Sequence, residues 1–161
     1  MVVLFVKYDS LSPGVRFTSQ AGKNHASIVN RLTRMFVLAA GERAIVRAQG
    51  PVGMGEYSEP DLTLLRPRAD YYRDAAPEAA GVLLIVEVSD STQRYDHCVK
   101  VPLYAGYGVP EVWVIDLENR LVHFHRSPSG DSYADISASE RSGATPMSAL
   151  PRVAIDLSGL L

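Results

Sequence analysis

Cysteine is almost absent from this chain of 161 residues, in which Cys98 is the single example. One cysteine excludes an internal disulfide and with it the small disulfide-stabilised folds of secreted proteins. No neighbouring residue argues for a reactive thiol. The composition therefore fits a protein of the reducing cytoplasm, and we expect a cytoplasmic location.

Long hydrophobic runs are also lacking. No apolar stretch approaches the length needed to cross a membrane, so we expect no membrane partner. Residues Met1 to Val6 are apolar, but the run is short and has no basic start, so it does not resemble a signal peptide.

The chain also lacks a strong excess of positive or negative charge. The formal net charge of -2 provides no overall attraction to nucleic acid. Within residues 1–50, however, seven basic and two acidic residues give a net charge of +5, and the remainder carries -7. This asymmetry fits a protein that holds phosphates with one part and metal with another, and it equally fits chance.

The hydrophobic pattern predicts one domain over residues 1–161, with a mixed α/β sheet flanked by helices. There is no internal repeat and no linker long enough to divide the chain. A first helix is expected from a cap at Asn24 or Ser27 to the stop at Gly41, and a later helix is expected to bend at Pro102. Strands are predicted at residues 43–49, 62–65, 82–86, 111–116 and 121–125 and near 133–136, whereas residues 147–161 are weakly patterned.

Two carboxylates are placed next to apolar strands. Asp61 directly precedes the strand at residues 62–65, and Glu87 closes the strand at residues 82–86. A carboxylate at such a place is costly to desolvate unless a cation meets it. Mg²⁺ usually takes one or two protein carboxylates, and Lys100 in the next helix could then orient a water or stabilise charge.

The same residues carry a family resemblance. Pro60-Asp61 followed by Glu87-Val88-Ser89 resembles the split signature of the P-D-(D/E)-X-K nuclease superfamily. The longer text, SEPD with LLRPR and then EVSDSTQRYDHCVKVPLYAGYGVPEVWVIDL, resembles the Uma family of restriction-endonuclease-like proteins within it. His25 and RAIVRAQGPV extend the likeness, which covers roughly residues 24–140.

The resemblance implies a restriction-endonuclease-like fold and Mg²⁺- or Mn²⁺-dependent hydrolysis of DNA, often by a homodimer. It implies Asp61 and Glu87 as catalytic metal ligands, and we group the adjacent Val88 with the metal-binding residues. Ser89 occupies the position where the superfamily has a lysine, and a hydroxyl cannot replace an ammonium. Lys100 is therefore the expected catalytic substitute, with Asp96 one helical turn before it as a supporting residue.

Other candidates have weaker signals. His25 and Ser89 are assigned supporting roles. A capping or packing role explains His25 equally well, and helix capping explains Ser89 better than nucleophilic attack. Arg31 and Arg34, on the polar face of the first helix, are candidates for binding nucleic-acid phosphates. His123 and His125 could bind metal, but a solvent-facing pair on a hairpin is the commoner arrangement.

Two departures from the family pattern keep alternatives open. Residues 1–22 contain no Glu-Leu-Ile-Asp-Gly-like motif, and Glu59-Pro60-Asp61 is shortened relative to the usual signature. The first alternative is therefore a nuclease-like fold that binds nucleic acid or a protein without cutting. The second is a structural or assembly domain, favoured by the acidic C-terminal part.

Overall fold

The computed structural model describes residues 20–55, 58–90, 96–140 and 143–161. Its helices are α1 (Gln20–Ala40) and α2 (Val101–Gly106), and its strands are β1 (Ile45–Ala48), β2 (Leu62–Leu65), β3 (Val82–Ser89), β4 (Glu111–Asp116), β5 (Leu121–Ser129), β6 (Ser132–Ser139), β7 (Ala144–Pro146) and β8 (Ala154–Asp156). Short 3₁₀ turns occur at Gly41–Arg43 and Ala79–Gly81, and Asp96–Lys100 forms a turn of π-helix. The predicted mixed sheet with flanking helices is confirmed.

In the described residues, strands β1 to β6 form one sheet in the order of the sequence, and β7 pairs with β8 in a second, small sheet. Neighbouring strands of the large sheet are antiparallel except for β3 and β4, which are parallel. A parallel pair needs a crossover connection, and this one contains the π-helical turn and α2.

Helix α1 covers one face of the sheet. Its apolar residues recur at helical spacing, and Leu32 and Phe36 are fully buried. The helix starts earlier than predicted, so Asn24 and Ser27 lie inside it and neither is its cap. The predicted stop is right: Gly41 has a φ of 54°, a left-handed conformation that glycine adopts without strain.

The C-terminal segment packs on the same face as α1. Met147, Ile155 and Leu160 share a hydrophobic core with α1 and the sheet. Glu111, which is fully buried, fastens this segment by accepting a hydrogen bond from the Ser148 amide at 2.7 Å. Apolar burial and one buried carboxylate therefore order a region whose sequence pattern is weak.

The opposite face of the sheet packs against α2 and the turn after β1. Val52, Met54, Ile85, Val101 and Tyr104 belong to this second core. No helix among the described residues is long and apolar enough to span a membrane.

Pro102 explains the change from π to α geometry. A proline inside a helix has no N–H for the carbonyl four residues back, but it is tolerated in the first turn. Pro102 occupies the first turn of α2, directly after the π-helical turn Asp96–Lys100. At the position where a bend was predicted, the structure shows a change of helix type. Lys100 and Tyr104, four residues apart, both reach β3 from this segment.

Candidate active site

The two predicted acidic residues lie at the same end of neighbouring strands. Strand β2 pairs with β3 so that Leu62 is opposite Val86, which puts Asp61 beside Glu87. The Val88 amide donates a hydrogen bond to Asp61 Oδ2 at 2.8 Å. The side chain of Asp61 thus accepts a backbone hydrogen bond just beyond the last paired residues of β2 and β3. This bond connects Asp61 to the strand that contains Glu87.

Glu87 is held by two donors from the helical segment. The side chain is 1% exposed; Lys100 Nζ lies 3.0 Å from Oε2, and the Tyr104 hydroxyl donates to Oε1 at 2.6 Å. Burial raises the pKa of Glu87 to about 7, although Lys100 and the Tyr104 hydrogen bond both favour the ionised form. The negative charge of Asp61 adds to the rise in pKa, which indicates that the two carboxylates repel each other.

His25 completes the group from the other side of the sheet. Its Nε2 lies 3.0 Å from Asp61 Oδ2, and both side chains are partly exposed. The hydrogen bond to Asp61 raises the pKa of His25 and outweighs its burial, and the charges of Asp90 and Glu87 act in the same direction. The imidazole therefore lies close to several negative charges.

Four of the predicted site residues meet here: Asp61, Glu87, Lys100 and His25. Val88 joins them through its amide, while its side chain is buried in the core beneath α1. Their proximity is a property of the fold; their roles stay predictions.

The remaining predicted residues are not brought into this contact network. Arg31 Nη1 donates to the Gly159 carbonyl at 2.7 Å, which fastens the C-terminal segment, and Arg34 is exposed on α1. Asp96 begins the π-helical turn, but its side chain lies outside the described residues. Ser89 ends β3 with its side chain fully buried, and its Oγ has no hydrogen-bond partner among the described residues.

The expectation of a solvent-facing histidine pair on the hairpin is wrong. His125 is 6% exposed and packs against Tyr133, with a ring distance of 5.8 Å. His123 Nε2 lies 3.6 Å from Asp116 Oδ2, at the turn of the same hairpin. Val114 separates His123 from Glu87 in the sheet, so this pair belongs to the β4–β5 hairpin.

Tyr104 is the site residue that sequence reasoning missed. The tyrosines at 71, 72, 104 and 107 are most simply interpreted as core and edge residues, yet the hydroxyl of Tyr104 contacts Glu87. One signal was present: Tyr104 follows Lys100 by four residues, the spacing that puts two side chains on the same helix face.

The donors present fit a hard divalent cation. Two carboxylates are the number that Mg²⁺ usually takes from a protein, with waters completing its coordination. Burial is the main cause of the raised pKa of Glu87, and a cation between Asp61 and Glu87 would relieve the charge repulsion that adds to it. Among the described residues, no group of three or more His, Cys, Asp or Glu side chains is arranged to hold a metal ion. Any bound ion would therefore keep much of its water.

Comparison with known proteins identifies the family of this chain. The profile of the Uma2 family, described as "Putative restriction endonuclease", matches residues 10–158. The chain belongs to the Uma2 family. The match starts earlier and ends later than the sequence motifs at residues 24–140, so the atypical N-terminal residues from 10 onward are part of the family's extent.

A solved structure supports the fold. The crystal structure of a putative nuclease belonging to DUF820 from Anabaena variabilis is similar, with a TM-score of 0.65 and 14% sequence identity. The alignment covers 85% of this chain and 79% of that one. No curated protein matches the chain. At this identity the likeness shows the fold alone. The nuclease-like function is supported by the family match.

Proposed function

We propose that this Uma2 protein is a metal-dependent endonuclease, a hydrolase that cleaves phosphodiester bonds of DNA. The observation that carries the proposal is the meeting of Asp61 and Glu87 at one end of β2 and β3, with the ammonium of Lys100 at 3.0 Å from Glu87. Carboxylates to hold a cation and a fixed positive charge beside them are what phosphodiester hydrolysis requires.

Each residue has a distinct part in this proposal. When bound, Mg²⁺ or Mn²⁺ supplies Lewis acidity and lowers the pKa of a coordinated water. Asp61 and Glu87, with the backbone at Val88, would hold that ion. Lys100 favours the ionised form of Glu87 and offers positive charge to the developing charge on the phosphate. His25 orients Asp61 through their 3.0 Å hydrogen bond.

DNA is the proposed substrate, and basic residues of α1 are the proposed contacts with its backbone. Arg34 is exposed, whereas Arg31 is partly committed to the Gly159 carbonyl. Contacts of this kind position the duplex without reading its sequence. We further propose a homodimer, because cutting both strands needs two sites, and a cytoplasmic location, because the lone Cys98 suits a reducing compartment.

The direct test is cleavage by the purified protein. Supercoiled plasmid and single-stranded DNA are incubated with Mg²⁺ or Mn²⁺, with a chelated sample as the blank. We expect nicking or linearisation that is lost in Asp61→Asn and in Glu87→Gln. Asp131→Asn, which changes an exposed carboxylate of the β5–β6 turn, serves as the matched control and should cut normally.

A second candidate is a nuclease-like fold that binds DNA or a protein without cutting. One observation favours it: both oxygens of Glu87 already accept hydrogen bonds from the protein, and its pKa of about 7 leaves it partly protonated near neutral pH. DNA binding by the parent protein, with no cleavage under any metal condition, would select this candidate.

A further inference from the structure

Tyr104 has an unusual environment for a core tyrosine. Its side chain is fully buried, yet its hydroxyl donates to Glu87 Oε1 at 2.6 Å, the shorter of the two contacts that Glu87 receives. Hydrogen bonds to an ionised acceptor are short and roughly twice as strong as neutral ones. A buried apolar ring would fill the same space, so packing alone does not account for the hydroxyl.

The contact has a defined geometric origin. Pro102 lies in the first turn of α2, after the π-helical turn that ends at Lys100. Lys100 and Tyr104 then follow each other at a spacing of four residues and take separate oxygens of the same carboxylate, Oε2 and Oε1. With both oxygens bound, rotation of the Glu87 carboxylate about its last torsion would break these two contacts.

The orientation of Glu87 matters because of Asp61. Asp61 is fixed by the Val88 amide at 2.8 Å and by His25 at 3.0 Å. A cation held between two carboxylates is bound tightly only when both are pre-oriented. The protein fixes Asp61 with donors from β3 and α1, and it fixes Glu87 with donors from the segment that contains α2.

We propose that Tyr104 is a positioning residue of the metal site, whose hydroxyl orients Glu87 and thereby sets the affinity for the divalent cation. This inference rests on the metal centre of the proposed function, but it requires cation binding and not DNA cleavage. Residues that orient a metal ligand typically contribute a factor of about 10 to 100 in metal affinity or activity.

The test is Mn²⁺ binding by the full chain, measured by isothermal titration calorimetry on the parent and on Tyr104→Phe. This change removes only the hydroxyl, and we expect the Mn²⁺ dissociation constant to rise by about 10-fold or more. Tyr107→Phe is the matched control, since Tyr107 follows the same helix and is 48% exposed, and it should leave binding unchanged. Far-UV circular dichroism checks that both variants fold.

A double-mutant cycle separates positioning from general packing. If Tyr104 acts through Glu87, then Tyr104→Phe should change Mn²⁺ affinity in the parent but cause no further loss in a Glu87→Gln background. Equal losses in both backgrounds, or an unchanged dissociation constant for Tyr104→Phe, would overturn the inference. The inference would also be overturned if neither Asp61→Asn nor Glu87→Gln weakened Mn²⁺ binding. Metal binding that depends on Tyr104 in a protein that never cuts DNA would support the inference and refute the endonuclease proposal.

Discussion

The amide of Val88 donates a hydrogen bond to the carboxylate of Asp61 at 2.8 Å, one residue beyond Glu87. The side chain of Asp61 therefore binds the backbone of β3 next to the last paired residues, and its carboxylate lies at the same site as that of Glu87. Because the strand register pairs Leu62 with Val86, the backbones of Asp61 and Glu87 stay next to each other as long as β2 and β3 are paired.

Divalent cations should stabilise the folded protein. A cation that binds the native carboxylate pair, and not the unfolded chain, raises the free energy of unfolding by mass action. We expect millimolar Mg²⁺ or Mn²⁺ to raise the melting temperature, followed by circular dichroism or differential scanning fluorimetry. The double variant Asp61→Asn, Glu87→Gln should lose this response. An equal shift in the double variant would place the bound ion elsewhere.

The stability of the metal-free protein should fall as the pH rises from about 5 to 8. The folded state raises the pKa of Glu87 from 4.5 to about 7, so between these values it binds more protons than the unfolded state. The free energy of unfolding then decreases with pH, by at most about 1.4 kcal/mol per pH unit for this group. The raised pKa of His25 acts in the same direction, because its stabilisation is lost as the imidazole deprotonates.

Urea denaturation in chelator across this pH range measures the effect. Glu87→Gln has no titrating carboxyl group at this position and should give a flatter profile than the parent. A parent stability that increases steadily from pH 5 to 8 would show that the burial of Glu87 does not control the titration.

The sequence predicts the fold well wherever apolar runs are continuous. Strand β2 is found at Leu62–Leu65 as expected, and β4 at Glu111–Asp116 as expected. The C-terminal strands could not be predicted, because the segment that contains them is held in place by a residue far away in the sequence. The Ser148 amide donates a hydrogen bond to Glu111, 37 residues earlier. Local pattern contains no information about such a contact.

The positions of the two acidic residues of the site could be predicted from the sequence, but the contact made by Tyr104 could not. Asp61 and Glu87 are found together because each adjoins an apolar strand, and β2 and β3 are neighbours. Tyr104 was missed because an aromatic residue in a helix is usually part of the core, and only the three-dimensional contact distinguishes its hydroxyl. Arg31 is the opposite case. Its place on the polar face of α1 predicted a free side chain, but its guanidinium donates a hydrogen bond to the Gly159 carbonyl.

The two arginines of α1 should differ when substituted. Loss of one phosphate contact makes the negative slope of log affinity against log salt less steep by about 0.9. We expect Arg34→Ala to show this change with a normal melting temperature, whereas Arg31→Ala should also reduce stability because it loses the Gly159 contact. Fluorescence anisotropy of labelled duplex DNA between low and moderate salt gives the slopes. Slopes equal to that of the parent would remove α1 from the DNA-binding surface.

Lys100 provides the most direct test of catalysis. Ser89 leaves the usual lysine position without a charge, and the ammonium of Lys100 lies 3.0 Å from Glu87 instead. Lys100→Met keeps the aliphatic stem and removes the charge, so cleavage should fall on the order of 100-fold or more. Arg152→Met, which removes a positive charge at an exposed position of the C-terminal segment and outside α1, is the matched control and should cut like the parent.

The structural cost of this change has to be separated from the catalytic one. Removing one member of a buried ion pair leaves the other uncompensated, but Glu87 can take up a proton, so the loss of stability should be smaller at pH 6 than at pH 8. Melting curves at both pH values establish where Lys100→Met is folded, and plasmid cleavage is then compared under those conditions. A folded Lys100→Met protein that cuts as fast as the parent would exclude Lys100 from the reaction. It would leave Asp61 and Glu87 as a metal centre whose charge balance comes from another cation.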